Sequence, residues 1–183
     1  MADPLPDAAA VLTFWREAGP SRWWSRDAAF DAEVGARFRA LHERARTGAL
    51  ASWQDSDEGL LALVIVLDQF SRNLYRDDAR AFATDAEALA LARGAIARGA
   101  DRRVAPPLSL FFYLPFMHSE ASADQQRCVE LFRAADLPDN LRFAEIHADI
   151  IRRFGRFPHR NRALGRATTP EEQAFLDGGG FAG

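Results

Sequence analysis

A chain of 183 residues, 48% hydrophobic and 27% charged, has the make-up of one ordinary globular domain with a substantial core. Its net charge of −3 is too small to announce a nucleic-acid or membrane partner. All 23 basic side chains are arginines, which excludes a Schiff-base lysine and a P-loop lysine, and the single Cys128 excludes an internal disulfide and a cysteine metal cluster.

Met1-Ala2-Asp3-Pro4 lacks a basic region followed by an apolar stretch, so no signal peptide is expected, and the cytoplasm is the default location. The longest strongly apolar run, Leu60 to Leu67, is too short to span a bilayer. Helix signals then recur along the chain. From Asp27 to Arg46, Phe30, Val34, Phe38 and Leu41 fall at spacings of three and four, and Gly48 offers a stop. Asp55 and Glu58 read as N-cap and third residue of a capping box opening a helix over about 57–75. That helix is apolar on nearly every side from Leu60 to Leu67, so it is expected at the centre of the core.

Thr84 and Glu87 suggest a second capping box, opening an alanine-rich helix to Gly99. Pro106-Pro107 marks a new start, with a short buried helix over Leu108–Tyr113 that ends before Pro115. Ser122 is expected to cap a helix to about Ala135, and another runs from Asn140 to Phe154 before Gly155 and Pro158 break it. Thr169-Pro170-Glu171-Glu172 combines an N-cap, Pro at N1 and Glu at N3 for a last short helix. Gly178-Gly179-Gly180 and the residues to 183 are expected to fray. About eight helices with short connectors predict an all-α fold of antiparallel hairpins in one domain over 1–183.

Three stretches carry polar residues that a plain helical core does not require. At the end of the central helix, Asp68 and Arg72 share a face, with Asn73 beside them and Arg76 one turn on. Charges emerging from so apolar a helix must be paired or open onto a cavity, because unpaired buried charge is costly. The second stretch holds His118 and Glu120, whose H-x-E spacing lacks the P-C-x-x-C half of the zinc-deaminase signature. The third runs from Arg152 to Arg166 without an acidic residue and contains Arg156, His159, Arg160 and Asn161. Arginine forks suit phosphate and carboxylate, although acidic helices elsewhere could absorb them as ion pairs. Nothing matches a nucleic-acid-binding module. Cys128 reads as a buried small hydrophobe, and Trp15, Trp23, Trp24 and Trp53 read as packing between helices.

These stretches resemble a bacterial family known as domain of unknown function 924. The resembling residues are Leu67-Asp68-Gln69-Phe70-Ser71-Arg72-Asn73, then Phe112-Tyr113-Leu114-Pro115 with His118-Ser119-Glu120, and Gly155-Arg156-Phe157-Pro158-His159-Arg160-Asn161. Phe14-Trp15 and Thr168-Thr169-Pro170-Glu171-Glu172 also fit, and Met117 is a tolerable departure. The resemblance implies a tetratricopeptide-like all-helical fold and supplies no substrate, cofactor or catalytic residue.

Two functions compete. In the first, Asp68, Arg72, Asn73, Arg76, His118, Glu120, His147, Arg156, His159, Arg160 and Asn161 line a polar pocket for a small anionic ligand. As an enzyme, it would use His118 or His159 as base and Glu120 or Asp68 as its orienter, yet no nucleophile stands out. In the second, the same residues are structural networks inside a scaffold that receives a peptide or protein partner. A metal site drawn from His118, Glu120, His147 and Asp68 comes third, and neither a cofactor nor a metal is expected.

Overall fold

Asp7 starts the first helix: in the computed structural model, which describes residues 5–181, its side chain accepts from Ala10 N at 2.8 Å. The helix, α1 (Ala8–Trp23), kinks where Gly19 adopts φ +67° ahead of Pro20. Sequence periodicity alone does not reveal it, because Gly-Pro interrupts the pattern set by Val11, Leu12, Phe14 and Trp15. There follow α2 (Ala28–Arg46), α3 (Asp57–Ile65), α4 (Ser71–Leu74), α5 (Asp85–Ala97), α6 (Ala100–Arg103), α7 (Leu114–His118), α8 (Ser122–Ala134), α9 (Pro138–Phe154) and α10 (Pro170–Asp177). Among the described residues there is no strand, and the fold is all-α.

The chain divides into two compact units, one running to Arg76 and including Arg80–Pro115, the other comprising Asp77–Ala79 and the chain from Phe116 on. In the first, α3 is central and packs against α1, α5 and the 3-10 turn Leu108–Phe112. Every residue from Gly59 to Ser71 is buried, as the unbroken apolar run predicts. Phe30, Val34, Phe38 and Leu41 form the buried face of α2. Phe14, Trp15, Phe30, Phe38 and Phe70 stack or meet edge-on at centroid distances of 4.8–6.2 Å. Trp23 joins them and donates from Nε1 to Trp15 O at 2.7 Å, whereas Trp24 is 52% exposed. The 3-10 turn Ala51–Asp55 closes on the start of α3 so tightly that a Cβ on Gly59 would lie 2.3 Å from Trp53 O.

Several boundaries differ from the sequence expectation. The N-cap of α3 is Ser56, accepting from Gly59 N at 3.0 Å, while Asp55 completes the preceding 3-10 turn. Thr84 precedes α5 but makes no cap bond, because its hydroxyl is drawn into the core. Ser122 is the first residue of α8 and Ala121 the cap. Leu108–Phe112 is 3-10, and Pro115 does not end a helix but sits in the first turn of α7, where its missing N–H is harmless. α9 begins at Pro138, not Asn140, for the same reason.

In the second unit, α8 and α9 pair as a hairpin through residues 135–137, burying Cys128, Leu131 and Phe132 on one side and Ala144, Ile150 and Ile151 on the other. The Thr169 capping box forms in full: Thr169 Oγ1 accepts from Glu172 N at 3.2 Å, and Glu172 Oε2 accepts from Thr169 N at 2.8 Å. Where fraying is expected, Gly178, Gly179 and Gly180 all donate backbone hydrogen bonds, and Phe181 packs on His147. Residues 182 and 183 lie outside the described residues.

Candidate functional site

Between α3 and α4 the helix widens into a π turn, Val66–Phe70, flanked by residues with right-handed helical dihedrals. Such turns perturb the regular backbone ladder and recur at functional positions. Here side chains crowd onto the loosened carbonyls. Leu67 O accepts from Ser71 Oγ and Thr84 Oγ1, each at 2.6 Å, and Asp68 O accepts from Arg72 Nη1 at 2.8 Å. Ser71 Oγ lies 2.8 Å from Thr84 Oγ1 and 2.7 Å from His42 Nε2. Burial pulls the His42 imidazole below its ordinary value, against the opposing pull of Glu43.

Two carboxylate–guanidinium forks flank this turn. Arg72 donates to Asp85 Oδ1 and Oδ2 at 2.9 and 3.0 Å and to Asp68 Oδ1 at 3.3 Å, while Gln69 Nε2 donates to Asp68 Oδ2 at 2.6 Å. Burial pulls the Arg72 guanidinium down, but Asp85 and Asp68 outweigh it and hold it above its ordinary value. Arg76 forks Asp31, and Asn73 Nδ2 donates to Asp31 Oδ1 at 2.7 Å. Asp68, Arg72, Asn73 and Arg76 are thus gathered at one end of one helix, as expected from their spacing.

In the second unit a chain of bonds ties the arginine-rich loop to α10. Glu120 accepts from Arg166 at 2.8 and 3.0 Å and from Phe157 N at 2.8 Å. Arg166 Nε donates to Asn161 Oδ1 at 2.9 Å, and Asn161 Nδ2 donates to Glu172 Oε2 at 3.1 Å. Arg156 closes the chain by donating to both Glu172 oxygens at 2.6 and 2.8 Å and to Ala167 O at 2.8 Å. The Arg156 hydrogen bonds, aided by Thr169 N–H and Asn161, hold the Glu172 carboxyl down at about 2 against the opposing effect of burial. At Glu120 burial pushes upward, but Arg166 and the Phe157 N–H win and its carboxyl also sits low. With both Glu120 oxygens engaged by Arg166 and Phe157, its expected role as orienter of a catalytic histidine finds no support in its bonds.

Three of the four remaining candidates are aromatic neighbours. His147 donates from Nδ1 to Phe143 O at 2.8 Å, and its ring meets Phe157. His159 also meets Phe157, and the Arg160 guanidinium lies 4.6 Å from the centroid of that ring. His118 is half-buried at the end of α7. Among the described residues, no three or more His, Cys, Asp or Glu group so as to hold a metal ion.

Seven of the seats in these networks belong to residues that sequence reasoning did not single out: Asp31, His42, Ser71, Thr84, Asp85, Arg166 and Glu172. Four of these lie inside stretches the sequence marks: Ser71 in the motif that starts at Leu67, Thr84 as a helix cap, Arg166 as the end of the acid-free run and Glu172 as the N3 carboxylate of a capping box. The others become visible only once the fold brings distant positions together.

The chain matches the family described as bacterial protein of unknown function (DUF924) over residues 11–180. The chain belongs to that family. A solved structure, that of a protein of unknown function from Agrobacterium tumefaciens, is similar to the DUF924 chain over 93% of this chain and 97% of its own. Its identity is 47% and its TM-score 0.90. No curated protein matches. Of the resembling stretches, Asp68, Gln69, Ser71, Arg72, Asn73, Glu120, Arg156, Asn161 and Glu172 take part in the two networks.

Proposed function

We propose that the protein is a cytoplasmic helical interaction scaffold of tetratricopeptide-like type, whose polar motifs are internal locks. The pairing of its arginines carries this reading: Arg72 with Asp68 and Asp85, Arg76 with Asp31, Arg156 with Glu172 and Arg166 with Glu120. A guanidinium forked by a carboxylate can take a free anion only by giving up charge-assisted bonds. The alternative, a pocket for a small anionic ligand, would require these forks to open.

Hairpins of stacked helices present long surfaces to partners. On α9, Phe143 and Ile146 stand one turn apart and are 50% and 37% exposed, while the buried side of the helix seals its own unit. Adjacent exposed apolar side chains suit an apolar anchor on a peptide or protein. No helix among the described residues is long and apolar enough to cross a membrane.

Affinity purification of the native protein tests this. A defined partner should co-purify with the wild type and be lost with Phe143→Ser/Ile146→Ser, while the melting temperature stays unchanged. If instead phosphate or small carboxylates raise the melting temperature, and Arg156→Met abolishes that rise without unfolding the chain, the scaffold reading fails.

A further inference from the structure

The chain after α10 does not simply end the helix. Gly178 donates to Ala174 O, Gly179 to Leu176 O and Gly180 to Phe175 O at 3.0, 3.2 and 2.9 Å, reversing the backbone. Gly179 adopts φ +78°, and a Cβ on Gly180 would lie 2.5 Å from Phe175 O, so the reversal depends on glycine. It delivers Phe181 against two imidazole rings. The Phe181 centroid lies 4.4 Å from that of His147, tilted by 60°, and 5.4 Å from that of His159, edge-on at 76°. Phe157 forms the floor, 5.5 Å from each imidazole and fully buried.

We propose that His147, Phe157 and His159 form a recognition clamp for an aromatic side chain carried on a glycine-bearing peptide, filled in cis by Phe181. Three observations support it. Tilted and edge-on contacts at these distances are the geometries that aromatic quadrupoles favour, so the clamp selects a ring over an aliphatic side chain. The clamp is built independently of its occupant: the Nδ1–H bond to Phe143 O orients His147, and the Arg160 guanidinium lies on Phe157. The occupant itself is weakly held, because Phe181 is only half-buried and the three preceding residues are glycines, which lose the most backbone freedom when ordered. A weak ligand in cis gives way to a partner with the same chemistry.

NMR of the imidazole Cε1–H resonances in the full chain tests the clamp, since a ring so close shifts both histidines. Phe181→Ala should move the His147 and His159 resonances together. A peptide of sequence Gly-Gly-Gly-Phe-Ala-Gly should return them toward their wild-type positions at concentrations on the order of millimolar, the effective concentration a short tether provides. The same peptide with Ala in place of Phe should do nothing, and the wild type should respond to neither. Phe181→Leu, which keeps an apolar side chain, should shift the resonances as Phe181→Ala does. The proposal is overturned if Phe181→Ala leaves both histidines unmoved, if the phenylalanine peptide fails to restore them, or if Phe181→Leu behaves as wild type. Failure here leaves the partner bound through Phe143 and Ile146 untouched, so the two readings fall separately.

Discussion

Glu172 gathers three partners of the second unit's polar network on one carboxylate. It closes the α10 capping box, takes both arms of Arg156 and receives Asn161, all while 2% exposed. Its loss would open the cap and leave the Asn161 amide without its carboxylate acceptor, while Arg156, 28% exposed, would turn to water. Glu172→Ala should therefore lower stability by about 1–3 kcal/mol in urea titrations. The pH response follows from two groups with lowered folded-state values. For His42 the unfolded chain takes up a proton first, so stability is complete above 6.5 and declines as pH falls below it. For Glu172 the stabilisation is complete above 4.5 and is lost as pH falls toward about 2. Urea midpoints measured against pH should show both declines. His42→Gln should remove the first and Glu172→Gln the second; a midpoint flat from pH 7 to pH 5 in the wild type would contradict the buried, neutral His42.

At the scale of elements, the glycines of two helices make opposite forecasts. Gly94 in α5 has no atom within 4 Å of a built Cβ, so Gly94→Ala should stabilise by about 0.5–1 kcal/mol through helix propensity. Gly59 in α3 faces the Trp53 carbonyl, a backbone atom that cannot swing away, so Gly59→Ala should destabilise despite the same propensity gain. Thermal melts of the two variants should move in opposite directions. Elements were legible where a local signal stood alone: the period of Phe30, Val34, Phe38 and Leu41, the unbroken run Leu60–Leu67, and the Thr169 box. They were misread where a side chain had a tertiary use. Thr84 looks like a helix cap in sequence, but its hydroxyl goes to Leu67 O across 17 residues. The π turn at Val66–Phe70 has no periodic signature at all, since it changes the pattern for only one turn.

For the whole molecule, the anomaly visible in sequence was real, but half of each network was not. Spacing placed Asp68, Arg72 and Arg76 on one helix end, and it could not show Asp31 and Asp85 arriving from α2 and α5 to pair with them. Likewise Arg156 and Asn161 were marked as ligand-seeking, and Glu172 meets both. Local sequence lists charges, whereas their partners depend on long-range packing. On the scaffold reading proposed above, that pairing is a lock, and coupling between partners is its signature. The most direct measurement is a double-mutant cycle on Glu120 and Arg166, read by urea unfolding with and without added phosphate. Each single alanine substitution should destabilise the protein, the double variant should lose much less than their sum, and the coupling should exceed about 1 kcal/mol with phosphate making no difference. Single variants within about 0.5 kcal/mol of wild type, the scatter expected of surface positions, together with a phosphate-dependent stabilisation that Arg166→Ala abolishes, would contradict the lock and restore the site.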